Sequence, residues 1–442
     1  MKKLKKFLMI SVLGALCACF LPSDIMAQET DPSDFRPAYE MPLYCDYVYL
    51  IDADTGQVLL DRRSDERMYP ASITKVMTSI IAIEKIPHPE RVMIEMTEEM
   101  LEGLEEAKAN RAGFGPGDVA SALDYIYGDL LPSGADCSRA LAFYTAGSEA
   151  GFVRLMNQKA AELGMDSTHF VNTSGLHDDD HYSTCQDIAK LYLYCMQNET
   201  FMEAASTLYY TSVPTKNYPA GLGMDNYVLM YINQERPKYE NFKIPGFEAG
   251  KSGYTIEGQY TLVSNASVNG MNLVLVNGHG YKEPHYPASI DDAEQIYNWF
   301  RKHYKRRTAA EKGQYAGTAR VTGSETGTVD LVLAEDVTLD LPSEADTHLV
   351  YDIPSFVKAP VEEGEVLGRL DVYAYDRLAG SFDLVAEGSA GRTYFLTLTR
   401  AAERITGGRV WIISLGLILL GIIFAVMSLP GPVKKRKKRK HF

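Results

Sequence analysis

Two polar side chains three residues apart, Ser72 and Lys75 in the run Pro70-Ala71-Ser72-Ile73-Thr74-Lys75, define the chemistry this chain is equipped for. Residues three apart on a helix share a face, so the amine reaches the hydroxyl without help from distant parts of the chain. A hydroxyl is a weak nucleophile and an ordinary lysine is protonated at neutral pH, so the pair works only if Lys75 loses its charge. The following run supplies the means. Ile73, Val76, Met77, Ile80, Ile81 and Ile83 are apolar around most of a helix, which predicts that the helix is buried. Burial disfavours the ammonium, and a second cation nearby disfavours it further, so Lys75 is predicted to act as general base for an acyl-accepting Ser72. A bare S-x-x-K tetrad carries little weight, since it arises about once or twice by chance in a chain this long.

Two later elements add weight. Leu130-Leu131-Pro132-Ser133-Gly134-Ala135-Asp136 follows Ser72 at moderate distance, and Gly250-Lys251-Ser252-Gly253-Tyr254-Thr255 comes well after it. S-x-x-K, S-D-N and K-T-G in that order form the active-site set of serine acyltransferases that react with penicillin. Ser133 sits in a Pro/Gly turn ahead of an apolar-periodic helix, and Lys251 sits on an extended segment running into Gln259-Tyr260-Thr261-Leu262-Val263.

With these motifs the chain resembles the D-alanyl-D-alanine carboxypeptidases, the low-molecular-weight penicillin-binding proteins. Ile51-Asp52-Ala53-Asp54-Thr55-Gly56-Gln57-Val58-Leu59 is similar to the family's opening hairpin, and Pro70 to Thr78 to its nucleophile block. Phe152 to Met165, Thr168 to His177 and His181 to Thr184 resemble further family segments, so the likeness runs over about residues 40 to 300. It implies that Ser72 attacks the bond between the two terminal D-alanines of a peptidoglycan stem pentapeptide and that Lys75 takes its proton. Ser133 would relay a proton to the leaving D-alanine, and water would release the acyl-enzyme. Lys251 and Ser252 would hold the substrate's terminal carboxylate, and Gly253 and Tyr254 would complete the substrate strand. The backbone N–H groups of Ser72 and Tyr254 would form the oxyanion hole. β-Lactam antibiotics would be covalent inhibitors, and no cofactor is implied. Two residues depart from the family pattern. Ser252 stands for Thr and keeps the hydroxyl. Ala135 stands for Asn and removes an amide, worth about one to two decades in rate if its partner is left unpaired. Asp136 or a water is left to compensate. The alternatives are a catalytically weak or inactive peptidoglycan-binding scaffold, motivated by Ala135, and a β-lactamase, which a membrane anchor and a further β domain argue against.

The elements that must position these groups follow. Strands are expected around Asp46 to Ile51, Gln57 to Asp61, Glu248 to Thr255, Gln259 to Ala266 and Asn272 to Asn277, with helices between. The expected fold class is α+β: an antiparallel sheet whose first and last strands meet, with a helical lobe, in domain 41–308. Further helices are expected over Ser183 to Met196 and Asp291 to Tyr304. Residues 313–400, dense in Val, Leu, Thr, Gly and Pro with short alternating runs, predict a small all-β domain.

Both ends read as membrane-related. Lys2, Lys3, Lys5 and Lys6 precede the apolar stretch Phe7 to Leu21, which predicts a secretory signal over 1–27, with a linker over 28–40. Leu16-Cys17-Ala18-Cys19 also resembles a lipoprotein box, with Cys17 out of place in it. Val410 to Leu429 is uncharged and long enough to span a bilayer of about 30 Å as a helix. The basic run Lys434 to Lys440 in the tail 430–442 then predicts a single-pass protein with its catalytic part outside the cytoplasm. Eleven of the 44 basic residues lie in these ends, so the rest of the chain is more acidic than its formal −14, and nucleic acid is excluded as a partner. Cys185 and Cys195, ten residues apart on one helix, are too distant to pair, which leaves Cys45 to Cys137 open. There is no C-x-x-C, and His177-Asp178-Asp179-Asp180-His181 reads as a polar turn rather than a metal site, so no metal is expected.

Overall fold

A five-stranded antiparallel sheet organises the first part of the chain in the computed structural model, which describes residues 41–232, 241–375, 377–393 and 416–423. Its strands are β1 (Cys45–Asp52), β2 (Val58–Arg62), β3 (Phe247–Thr255), β4 (Gln259–Val268) and β5 (Met271–Gly280), in spatial order β2-β1-β5-β4-β3. The first strand pairs with the last, Leu50 opposite Leu275, as the sequence pattern anticipates, and β3 is left at the edge. Successive β5 side chains alternate between two cores. Leu273 and Leu275 pack with Tyr297 and Phe300 of one core, whereas Val274 and Val276 join the core of the helical lobe. This period of two on a sheet buried on both faces explains why β5 is almost continuously apolar.

The helical lobe contains α1 (Lys75–Lys85), α2 (Ala122–Leu130), α3 (Ala135–Ala146), α4 (Glu149–Glu162) and α5 (Cys185–Cys195). A further helix, α6 (Ala288–His303), packs on the opposite core. The boundaries follow the capping chemistry. Ser121 and Asp124 form a capping box at the start of α2, and Thr184 accepts from the Asp187 amide at the start of α5. That cap places the start of α5 two residues after the expected Ser183. Helix α6 starts at Ala288, just behind Pro287, earlier than the expected Asp291. The nucleophile helix is entered through a 3₁₀ turn, Ala71–Thr74, so that only Lys75 onward is α-helical. Val76, Met77, Ile80 and Ile81 are buried, as their spacing predicts, while Ile83 is half-buried.

The four described cysteines are free and buried. Cys45 and Cys137 do not pair because the sheet stands between them: Cys45 belongs to the α6 core and Cys137 to the core of the helical lobe.

The described chain divides into two units, one holding the residues up to Ala309 with returns at 338–348 and 373–380, the other holding 310–337, 349–372 and the residues from 381 on. Between residues 310 and 393 the described chain forms strands and no helix, with a six-stranded sheet in the order Thr347–Asp352, Val366–Ala374, Arg377–Ala386, Thr328–Leu333, Tyr315–Thr322, Phe356–Lys358. No helix among the described residues is long and apolar enough to cross a membrane. Of the expected 410–429 span, 416–423 is helical, with Leu417, Ile418 and Leu420 exposed. The remainder of that span, the 1–27 leader, the linker to residue 40 and the 430–442 tail lie outside the described residues.

Candidate active site

Three segments far apart in sequence meet at one cleft of about 690 Å³ in the first unit: the Ala71–Lys75 turn, the Ser133 turn before α3, and edge strand β3. Ser72, Lys75, Ser133, Ser252, Gly253 and Tyr254 all line it. Lys251 lies just beneath, with its amine on Ser133.

Lys75 Nζ stands 3.0 Å from Ser72 Oγ and donates to the Ser174 carbonyl at 2.6 Å. One hydrogen is thus committed to a fixed backbone oxygen, and the hydroxyl lies within the distance that proton transfer requires. Burial is the main force on the amine. It pulls the Lys75 pKa down to about 8, against the attraction of the Asp129 and Asp136 carboxylates. A substantial neutral fraction at mildly alkaline pH follows, which is what the sequence required of this residue.

The second lysine is also buried. Lys251 Nζ donates to Ser133 Oγ at 2.9 Å and to its neighbour's carbonyl, Ser252 O, at 2.8 Å. Burial, reinforced by the charge of Lys75, holds its pKa well below the usual lysine range. The expected fixed cation is therefore a group whose charge depends on company. An anion entering beside it favours the ammonium form by direct Coulomb attraction. Ser133, receiving a hydrogen bond from Lys251, keeps its own hydroxyl hydrogen for the cleft.

The backbone is forced where it meets the reacting groups. Ala71 has φ +49° and Ser133 has φ +63°, left-handed conformations that cost a non-glycine residue about 1 kcal/mol or more. Their neighbours permit the close approach. A Cβ on Gly175 would fall 1.8 Å from the Ala71 carbonyl oxygen, and one on Gly253 would fall 2.7 Å from the Ser72 amide nitrogen. Only glycine lets the Ser174 loop and strand β3 lie this close to the nucleophile. As a sheet edge, β3 also offers unpaired backbone groups to an extended peptide.

Position 135 brings no polar group. Ala135 is buried at the cleft wall, its amide spent on the Asn110 carbonyl at 2.8 Å. Asp136 does not compensate. Its carboxylate faces away from the cleft and accepts from the amides of Ala112, Gly113 and Phe114 at 2.8, 2.9 and 3.2 Å.

Several participants escaped the sequence reading. Ser174 contributes only a carbonyl, which no residue type announces. Asp129 is a lone carboxylate in the apolar stretch Tyr125-Ile126-Tyr127-Gly128-Asp129-Leu130-Leu131, and that contrast was the available signal. His181 binds Thr74 Oγ1 through Nε2 at 2.8 Å and accepts from the Val171 amide through Nδ1 at 3.2 Å. Burial lowers its pKa to about 4 and keeps it neutral, so it braces the nucleophile turn. His177, its companion in the acidic turn, instead stacks edge-on against Tyr69 at 4.7 Å on the cleft wall. The two imidazoles serve different structural neighbours, and among the described residues no three metal-binding side chains converge.

Comparison with known proteins agrees with this geometry. Residues 40–278 match the family model for D-alanyl-D-alanine carboxypeptidase, and residues 304–391 match the model for the C-terminal domain of penicillin-binding protein 5. The chain is 24% identical over 404 residues to D-alanyl-D-alanine carboxypeptidase DacF of Bacillus subtilis, covering 90% of this chain and 97% of that protein. It is 28% identical over 272 residues to DacB2 of Mycobacterium tuberculosis, covering 60% and 87% respectively. Among solved structures, penicillin-binding protein 5 of Haemophilus influenzae superposes with a TM-score of 0.64 at 22% identity, over 80% of this chain and 99% of that one, and shows the shared fold.

Proposed function

We propose that the chain, which belongs to the D-alanyl-D-alanine carboxypeptidase family, removes the terminal D-alanine from peptidoglycan stem pentapeptides through an acyl-enzyme on Ser72. The observation that carries this is the contact of 3.0 Å between Ser72 Oγ and a buried Lys75 amine whose other fixed partner is a backbone carbonyl. The amine accepts the hydroxyl proton as the oxygen adds to the scissile carbonyl. The developing oxyanion is served by backbone N–H groups at Ser72 and Tyr254, which Gly253 allows to approach. The proton taken up by Lys75 is relayed through Ser133, which Lys251 backs, to the departing amine, so Lys75 is neutral again. The substrate's terminal carboxylate lies by Lys251 and Ser252 and draws Lys251 into its ammonium form, so charge recognition and proton supply are coupled. Water then attacks the acyl-enzyme, with Lys75 again serving as base. A β-lactam would follow the same first step and stay attached.

The deciding measurement is D-alanine released from a purified stem pentapeptide. Steady release supports the reading, and a folded protein that releases none while retaining the peptide would favour the scaffold alternative. Position 135 gives a graded check. Ala135→Asn places an amide at the cleft wall beside Ser133 and is expected to raise D-alanine release about tenfold. An unchanged rate would show that a polar group is not wanted there.

The reading of the ends is supported by the uncharged stretch 410–429 and the adjoining Lys434 to Lys440. It makes the chain a single-pass membrane protein with its catalytic unit outside the cytoplasm. Full-length protein is expected to stay with the membrane after alkaline carbonate washing, and a chain stopped before residue 410 to be released. Release of both would remove the anchor.

A further inference from the structure

A buried carboxylate that takes no part in the steps above lies between the two segments that carry them. Asp129, near the end of α2, is fully buried. Its Oδ2 accepts from Ser79 Oγ at 2.7 Å and its Oδ1 from Ser138 Oγ at 2.5 Å. Both hydroxyls are buried as well. Ser79 stands one helical turn after Lys75 on α1 and so shares its face. Ser138 lies on α3, the helix that Ser133 introduces, and also donates to the Gly134 carbonyl at 3.3 Å. The carboxylate thus joins the helix of the base to the helix that the second serine introduces.

Removing a carboxylate from water costs several kcal/mol unless charge or hydrogen bonds answer it. Two neutral hydroxyls answer part of that cost, and the positive groups of this interior are Lys75 and Lys251. Burial raises the Asp129 pKa to about 6, opposed first by Lys75, then by Ser138 and Ser79, and then by Lys251. The carboxylate is therefore ionised at the alkaline pH where Lys75 titrates. The other groups acting on Lys75 are differently placed. Asp136 on α3 is saturated by three backbone amides, and the Cys137 thiol beside it is kept protonated by burial. His181, from the loop before α5, is neutral, and Lys251 on β3 repels. When both lysines are protonated they repel each other, and Asp129 is a buried carboxylate whose charge acts on both, while Ala135 brings no polar side chain to the cleft wall.

We propose that Asp129 is a positioning residue of this active site: clamped by Ser79 and Ser138, it supplies the counter-charge shared by Lys75 and Lys251 and holds the nucleophile helix against the Ser133 turn. This deepens the carboxypeptidase reading and rests on it. Asp129 touches no substrate and acts through the two lysines.

The test is the rate of acylation by a fluorescent penicillin, followed against pH in the full chain. In the wild type the rate rises with pH as Lys75 becomes neutral. Asp129→Asn keeps the shape but removes the charge that favours the Lys75 ammonium, so the rising limb is expected to move to lower pH by about one unit. Ser138→Ala removes one donor but leaves the carboxylate ionised where Lys75 titrates, so its limb is expected to stay with the wild type's. A uniform loss of rate in Asp129→Asn with the limb in place would mean that Asp129 is structural only and would overturn the proposal. If Asp129→Asn does not fold, Asp129→Ser, which also removes the charge, is read by the same criterion. A wild type that takes no label would strike the carboxypeptidase reading itself, whereas a labelled wild type with an unmoved limb in the charge-removing variant strikes this inference alone.

Discussion

Ser72→Ala is expected to abolish both penicillin labelling and D-alanine release, with a fall of about 10⁶-fold, the scale seen when a catalytic serine is removed from a working constellation. The change deletes one oxygen that lines the cleft. Lys75 keeps its bond to the Ser174 carbonyl, and Ile73 and Val76 remain in the core, so the variant should fold with an unfolding midpoint near that of the wild type. That separation makes the result readable. A variant that unfolds as the wild type does but carries no label places the acyl group on Ser72. Persistent stoichiometric labelling would place the nucleophile elsewhere and would end the mechanism proposed for this cleft.

Lys75→Gln is expected to slow acylation about a thousandfold, within the range by which a positioned general base accelerates such a step. Its diagnostic value lies in the pH profile. A base is active when unprotonated, so with the Lys75 pKa held near 8 by burial, the second-order rate of wild-type acylation should climb through pH 7 and level off above about 9. The penicillin rate constant measured well below saturation reports the free protein, which is the state described. Glutamine at this position retains a donor for the Ser174 carbonyl but has no titrating group, so the residual rate should lose this limb. A variant that keeps the same limb would assign it to another residue, with Lys251 first in line because its amine lies on Ser133.

The reason these effects can be forecast lies in how much of the site was local. Ser72 and Lys75 were legible because three residues of helical backbone place them together, and the apolar spacing of Ile73, Val76, Met77, Ile80 and Ile81 already implied a dry setting. The five strands of the main sheet were legible for a similar reason, since short alternating or apolar β-rich runs mark them in the sequence. Family likeness extended that reading to Ser133, Lys251 and Ser252, whose individual residue types carry little information. The bounds of α5 and α6 shifted by a few residues because a cap and a proline decide them, and hydrophobic periodicity is silent about both.

By itself the amino-acid sequence determined the chemical inventory: a hydroxyl and an amine on one helical turn, a second hydroxyl and amine downstream, glycines where the backbone must approach closely, and a missing amide at Ala135. Those are properties of residue type and short spacing. Tertiary structure decided their electrical state. Lys251 finds Ser133 across 118 positions of chain, and burial by both cores' surroundings, rather than any neighbour in sequence, strips the lysines of their ordinary charge. It also committed Asp136 to backbone amides, sent Cys45 and Cys137 to opposite faces of the sheet, and set Asp129 behind the cleft. Desolvation and long-range Coulomb forces depend on where distant segments end up, and no local pattern of residues encodes that placement.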